Sequence, residues 1–378
     1  MENLLAYIHN PGDMDTNWYE RIIDELKKES IELCTLPEFF SFTPTKISIF
    51  VVPSEVVLFP EEDDGKYIRD IYYIAKFSKA SLVIFTEMYE HNFEMLSILN
   101  SINKNIVILS PCFVNADQFQ NLKFVFFPLW LNKAALTVHQ SVEIYDAIHQ
   151  LPSYNIKPLL ADILLGVSSV SKPHRDFIFG MVNNSCLKDK VIMNFRSYTN
   201  PNSNSDFFLD EDGIEHLPYD ENSNFKFHST RPIKIYGYIN TVANVLPIKI
   251  WKQTAYSVVA ETAVSNYISL LSEKTYKPML GRRLFIMFAG QYYLRNLRSL
   301  GFKTFGEIID ETYDTVEDPY VRWALAFNQL VWLETQPQDK IFEQIKHITE
   351  HNFQLMLDLN WRVNESKLGL EELLKISG

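Results

Sequence analysis

Cysteine is scarce in this chain. Three residues, Cys34, Cys112 and Cys186, stand far apart among 378 positions. An odd, dispersed set neither frames a disulfide scaffold nor supplies a zinc cage, and it points to a reducing compartment with free thiols. Glycine is also low, at 12 residues, which excludes collagen-like or flexible-linker character. No G-x-G-x-x-G fingerprint marks an ordinary dinucleotide site. No apolar run has the length of a bilayer span. The nearest, Phe124 to Val138, is broken by Pro128, Asn132 and Lys133. Met1 is followed by Glu2 and Asn3 rather than by a basic and then an apolar segment, so no signal peptide is expected and the reading is a soluble, cytoplasmic protein. Positive charge is in deficit, with a formal net charge of −12. That excludes a general nucleic-acid coat and leaves room for a local basic cleft. Internal repeats and low-complexity tracts are absent too.

What the chain does contain is apolar mass. Hydrophobic residues make up 47% and charged residues 22% of the sequence, enough for two cores at a length that suits two domains. Short β-branched and aromatic runs alternate with helical periodicity from the start. Leu4–His9, Ile31–Leu36, Lys46–Val52, Ser81–Phe85, Asn105–Leu109 and Lys123–Phe127 read as strands. Trp18–Lys28, Tyr67–Phe77, Asn92–Ile102 and Asn132–Gln150 read as helices. The alternation predicts a mostly parallel sheet covered on both faces, with ligands beyond the carboxyl ends of its strands. After a linker at Leu151–Pro158 the pattern restarts, with strands at Leu159–Val167, Lys190–Asn194 and Ile233–Ile239 around a long polar loop, Ser197–Asn224. The predicted division is an N-terminal α/β domain at 1–152, a second at 158–335, and C-terminal helices over 336–378 that pack back across the molecule.

The second half is organised around Ala255–Arg298. Tyr256–Ala260 reads as a buried strand ending at Glu261, and Leu284–Ala289 as another. Between them a polar loop leads to Ser272, an expected N-cap, with Glu273 and Lys274 in the first helical turn. A helix start carries unpaired N–H groups and partial positive charge. Adding a lysine makes an anion site suited to phosphate, and a carboxylate beside it can accept hydrogen bonds from ribose hydroxyls. Upstream, the turn Ser168–Arg175 is polar and basic and opens a helix, placing Lys172, His174 and Arg175 at a second strand end.

SEKTYKPMLGRRLFIMFAGQYYLRNLRSLGFKTFGEIIDETYD resembles the donor-nucleotide region of bacteriophage and bacterial glycosyltransferases. It is more distantly similar to the fucosyltransferases, whose motif runs from a carboxylate through a loop to Thr/Ser-Glu-Lys. The matching residues are Glu261, Ser272, Glu273 and Lys274. SKPHRDFIFGMVNNSCLKDK resembles the same family's first donor-domain helix, with Arg175 in the place of a phosphate-binding arginine. The resemblance covers roughly residues 160 to 320. It implies a GT-B-like architecture, two Rossmann-type domains facing a central cleft, with the acceptor on the N-terminal side and a UDP- or GDP-sugar on the C-terminal side. Arg282-Arg283 and the loop between Glu261 and Glu273 depart from the fucosyltransferase pattern.

The implied activity is metal-independent, inverting transfer of a sugar to an acceptor hydroxyl. A leaving nucleoside diphosphate asks for cations and helix starts facing it, a task for Arg175, Lys274, Lys172 and His174; Glu273 would hold the ribose. A general base is expected from the N-terminal half, with Asp13, after the first strand, ranked above Glu87, after the fourth. No metal is expected: Asp13-Met14-Asp15 lies in the wrong half for donor phosphates, and the acidic pairs Asp310-Glu311 and Glu317-Asp318 read as a solvated loop. The acceptor stays open among a hydroxymethylated base of phage DNA, a glycan and a protein side chain. Two alternatives stay open as well, a nucleotide-sugar-binding protein without transferase activity and a GT-B-like sugar epimerase.

Overall fold

The computed structural model describes residues 93–126 with short gaps, 154–167, 172–196 and 246–358, the backbone of strand segments at 4–8, 31–33, 47–51, 82–86, 233–235 and 238–240, and a few isolated positions. The chain groups into two units, Met1–Leu129 with Val363–Gly378, and Trp130–Arg362. The segment 151–158 lies inside the second unit in this division. The C-terminal stretch is shared: a helix at Gln338–Leu357 belongs to the second unit and Val363–Gly378 to the first.

The first unit holds strands β1 (Leu4–Ile8), β2 (Ile31–Leu33), β3 (Ile47–Val51), β4 (Leu82–Thr86), β5 (Asn105–Ser110), β6 (Cys112–Val114) and β7 (Leu122–Phe126). Six of them form one sheet in the order β2-β1-β3-β4-β5-β7. Every neighbouring pair is parallel. Successive residues Ile106, Val107 and Ile108 are all buried. Side chains of neighbouring strand residues point to opposite faces, so this strand is covered on both, which is why it reads as a continuous apolar run. Helix α1 (Phe93–Asn100) supplies the crossover between β4 and β5 and buries Leu96 and Leu99. The chain runs from β1 outward to β2, then returns to lay β3 on the other side of β1. That reversal is a topological switch point. The helices expected at Trp18–Lys28 and, apart from His149, at Asn132–Gln150 fall outside the described residues, as does the loop Ser197–Asn224.

The second unit is built on β8 (Leu159–Val167), β9 (Val191–Arg196), β12 (Thr254–Ala260) and β14 (Phe285–Phe288), all parallel in the order β14-β12-β8-β9. All seven residues of β12 are buried. The run Ile233–Ile239 is not one strand but two, β10 (Ile233–Ile235) and β11 (Tyr238–Asn240), paired antiparallel. A short strand β13 (Ile268–Leu270) interrupts the loop after β12. The helices are α2 (Pro173–Asn183), α3 (Ile248–Gln253), α4 (Glu273–Leu280), α5 (Tyr293–Ser299), α6 (Pro319–Glu334) and α7 (Gln338–Leu357). Pro173 opens α2 and Pro319 opens α6, where a missing N–H costs nothing.

Toward the amino-terminal edge of this sheet lies a buried charge pair. Arg283 donates to Asp162 at 2.8 Å, to Ser257 Oγ at 2.8 Å, and to the carbonyls of Thr254 and Tyr256 at 2.9 and 2.6 Å. Arg282 pairs with Glu350 on α7 at 3.1 Å and lies 3.6 Å over the Phe353 ring. The two arginines that set this sequence apart from the fucosyltransferase pattern therefore knit the sheet and a helix together, away from the strands' carboxyl ends.

Candidate functional site

The chain leaves β8 through α2 toward β9 on one side, and leaves β12 through α4 toward β14 on the other. The strand order thus reverses between β8 and β12, and parallel sheets take ligands beyond the carboxyl ends at such a reversal. The starts of α2 and α4 flank it.

One residue connects the two starts. The carbonyl of Glu261, just past β12, accepts from His174 Nε2 on α2 at 2.8 Å. Its carboxylate is fully buried. Oε2 accepts from Thr262 N at 2.8 Å and Ser272 Oγ at 2.7 Å; Oε1 accepts from Ser272 N at 3.1 Å. The hydroxyls of Thr275 and Tyr293 close on Oε1 at 2.8 and 2.9 Å and on each other at 2.7 Å. Ser272 is the N-cap of α4 as its sequence position predicts, its Oγ accepting from Lys274 N.

Cations gather above this anchor. Lys274, half-buried, donates to Thr262 Oγ1 at 2.7 Å and pairs with Glu273 at 2.9 Å. Lys277 stands one helical turn on, and Arg175 is 6% exposed. Burial works to raise the Glu273 carboxyl, but Lys274 and Lys277 outweigh it and hold it down at about 2. Burial lowers Lys277 to about 8, with Lys274 adding repulsion and Glu273 opposing. Lys172, Arg175 and Lys274 all act on His174, so residues from both strand ends meet in one place. Seven sequence-predicted residues come together here: Lys172, His174, Arg175, Glu261, Ser272, Glu273 and Lys274. Asp13 and Glu87 lie outside the described residues.

Two placements differ from expectation. His174 is fully buried, its ring packed 5.8 Å from that of Trp323. Burial, then Arg175, pushes its pKa down to about 3, so at neutral pH the ring carries no charge for a phosphate. Nε2 must bear the proton that the Glu261 carbonyl accepts. The acidic segment before Pro319 is only partly solvated. Asp314 is buried and accepts from the backbone N–H of Leu294 and Arg295 at 2.8 and 3.0 Å, capping α5. Glu311 accepts from Thr304 Oγ1 and Phe305 N at 2.6 and 2.7 Å. Glu317 and Asp318 are exposed, and Asp318 caps α6. These carboxylates serve backbone donors that a folded segment brings to them, which linear sequence does not display. Thr262, Thr275, Lys277 and Tyr293 were not singled out from sequence. Lys277 had a signal, its i+3 spacing from Lys274 on a predicted helix; the others had none.

The depressed His174 value has a measurable consequence. Unfolded histidine takes a proton near 6.5 and the folded one near 3. Its contribution is therefore complete above pH 6.5 and is lost as pH falls toward 3. At 1.36 kcal/mol per unit the loss reaches about 3 kcal/mol by pH 4. His174→Gln keeps a donor for the Glu261 carbonyl and removes the titration. Denaturant unfolding of the second unit at pH 7 and pH 4 should show a smaller pH dependence in the variant; equal dependence in both proteins would exonerate His174.

Among the described residues no three His, Cys, Asp or Glu side chains gather as metal ligands, and no helix is long and apolar enough to cross a membrane. No family model and no curated protein sequence matches the chain. Among solved structures it is similar to the DNA modifying enzyme β-glucosyltransferase, determined in the presence and absence of its substrate uridine diphosphoglucose, with a TM-score of 0.44, 10% identity and 99% of each chain covered.

Proposed function

We propose that the second unit binds the diphosphate of a nucleotide-sugar and that the chain is a glycosyltransferase, metal-independent and inverting, acting on an acceptor hydroxyl. The observation that carries this reading is the hydrogen bond from His174 to the Glu261 carbonyl, which joins the start of α2, with Lys172 and Arg175, to the strand end that anchors the start of α4, with Lys274, at a strand-order reversal. Fixed cations and helix dipoles at a partly buried site stabilise the charge that develops on a departing nucleoside diphosphate. Glu273 is the carboxylate on this surface with solvent access, and it is assigned to the ribose. The GT-B-like arrangement belongs to the proposal, with the first unit carrying acceptor and base. A hydroxymethylated DNA base is the first acceptor to try, then glycans and protein.

Calorimetry with UDP- and GDP-sugars tests the donor site. A charge-assisted hydrogen bond is worth about 1.5–3 kcal/mol, so Lys274→Ala and Arg175→Ala should each weaken binding roughly tenfold or more. Chelator should leave binding unchanged. Unaltered affinity in both variants would remove the site. Donor binding with no turnover on any acceptor class would favour the binding-protein alternative.

A further inference from the structure

We infer that Glu261 is a positioning residue which sets the spacing of the two helix starts on the anion site and never touches the ligand. The inference rests on the nucleotide-binding reading above. The carboxylate is wholly enclosed and its oxygens are filled by its own chain. Ser272 Oγ accepts from Lys274 N, so its proton is directed to Glu261. Through that bond and Thr275, the carboxylate holds the first turn of α4. Through its carbonyl, the same residue holds His174 and with it the first turn of α2. Its backbone N–H donates to Phe288 O at 3.1 Å, tying the junction to β14. Arg175 follows His174, and Lys274 lies between Ser272 and Thr275. Arg175 and Lys274, the cations assigned above to the phosphate, therefore each stand next to a residue that Glu261 holds. A ligand clamp works only when its groups are held in register by a packed, hydrogen-bonded support, and Glu261 supports both jaws.

Three roles for this carboxylate make different predictions. As a mere buried charge, it would repel a bound anion, and neutralising it would tighten binding. As a ribose contact, it would matter for a nucleotide but not for an anion without a sugar. As a positioning residue, it matters for both. The experiment is calorimetry on the full chain with inorganic pyrophosphate and with uridine diphosphate, comparing wild type, Glu261→Gln and Tyr293→Phe. Tyr293→Phe removes one partner of Oε1 and keeps the charge. Unfolding curves establish the folded fraction of each, so affinity refers to folded molecules.

Glu261→Gln should weaken both ligands by about tenfold, and Tyr293→Phe should weaken both by a smaller factor in the same direction. Should Glu261→Gln fail to fold, Tyr293→Phe and Thr275→Val carry the comparison on the same two ligands. Weakening confined to uridine diphosphate overturns the inference in favour of ribose contact. Tighter or unchanged binding of both overturns it in favour of a charge or a purely structural role. Absence of binding in the wild type overturns the nucleotide-binding reading and the inference with it.

Discussion

Replacing Arg283 by methionine is expected to cost about 3–5 kcal/mol of unfolding free energy, the usual consequence of leaving one partner of a buried ion pair alone. Asp162 and Arg283 are both buried, at 3% and 4% exposure. Burial works against both charges, raising the Asp162 carboxyl and lowering the Arg283 guanidinium from their ordinary values. What offsets that cost is the pair itself and the hydrogen bonds around it. Asp162 also accepts from Ser257 Oγ at 3.0 Å and Thr254 Oγ1 at 3.2 Å. Arg283→Met strands Asp162 and the carbonyls of Thr254 and Tyr256 together. Adding Asp162→Asn removes the orphaned charge and should recover part of the loss. Denaturant titration with tryptophan fluorescence reads the effect, since Trp251 lies 5.5 Å from the guanidinium. The network sits toward the strands' amino ends, so nucleotide affinity of the folded fraction should be unchanged. A stability loss under about 1 kcal/mol, within the range of a replaceable surface contact, would show that the pair does not hold the sheet.

The second large effect concerns the base. If the reaction inverts, a carboxylate must take the acceptor's proton, and general-base catalysis contributes about two to four decades of rate. Asp13→Asn and Glu87→Gln keep shape and remove basicity. The strand order of the first unit favours Asp13. Its reversal lies between β1 and β3, and ligands settle at such reversals beyond the carboxyl ends. Asp13 follows β1 in the chain, whereas Glu87 follows β4, which lies on the far side of β3 from β1. Turnover of Asp13→Asn on the true acceptor should therefore fall by about two to four decades, while calorimetric donor affinity stays intact because the cations proposed to hold the donor lie in the other unit. Full turnover in both variants would place the base elsewhere. A matching fall in donor affinity would show that the substitution disturbs the donor site, so that its rate loss says nothing about a base.

Local features were legible from the chain alone. Leu159–Val167 and Tyr256–Ala260 are mostly apolar runs, as strands buried on both faces commonly are, although β12 begins two residues earlier, at Thr254. Ser272 ahead of Glu-Lys, and Pro173 and Pro319 at helix starts, follow from backbone groups that any helix leaves unpaired. The same local logic put Lys172, Arg175 and Lys274 at strand-to-helix junctions. Tertiary structure decided the rest. Glu261 and Glu273 are both carboxylates near one helix start, yet one is enclosed by Thr262, Ser272, Thr275 and Tyr293 and the other keeps solvent access. His174 sits beside two cations in sequence, and burial against Trp323 takes its charge away. Adjacent arginines 282 and 283 part company, one to α7 and one into the sheet. Desolvation and hydrogen-bond partners arise from residues distant in the chain, 121 positions apart for Arg283 and Asp162. Sequence determined which groups stand at the ends of strands, and packing determined which of them remain charged and within reach of a ligand.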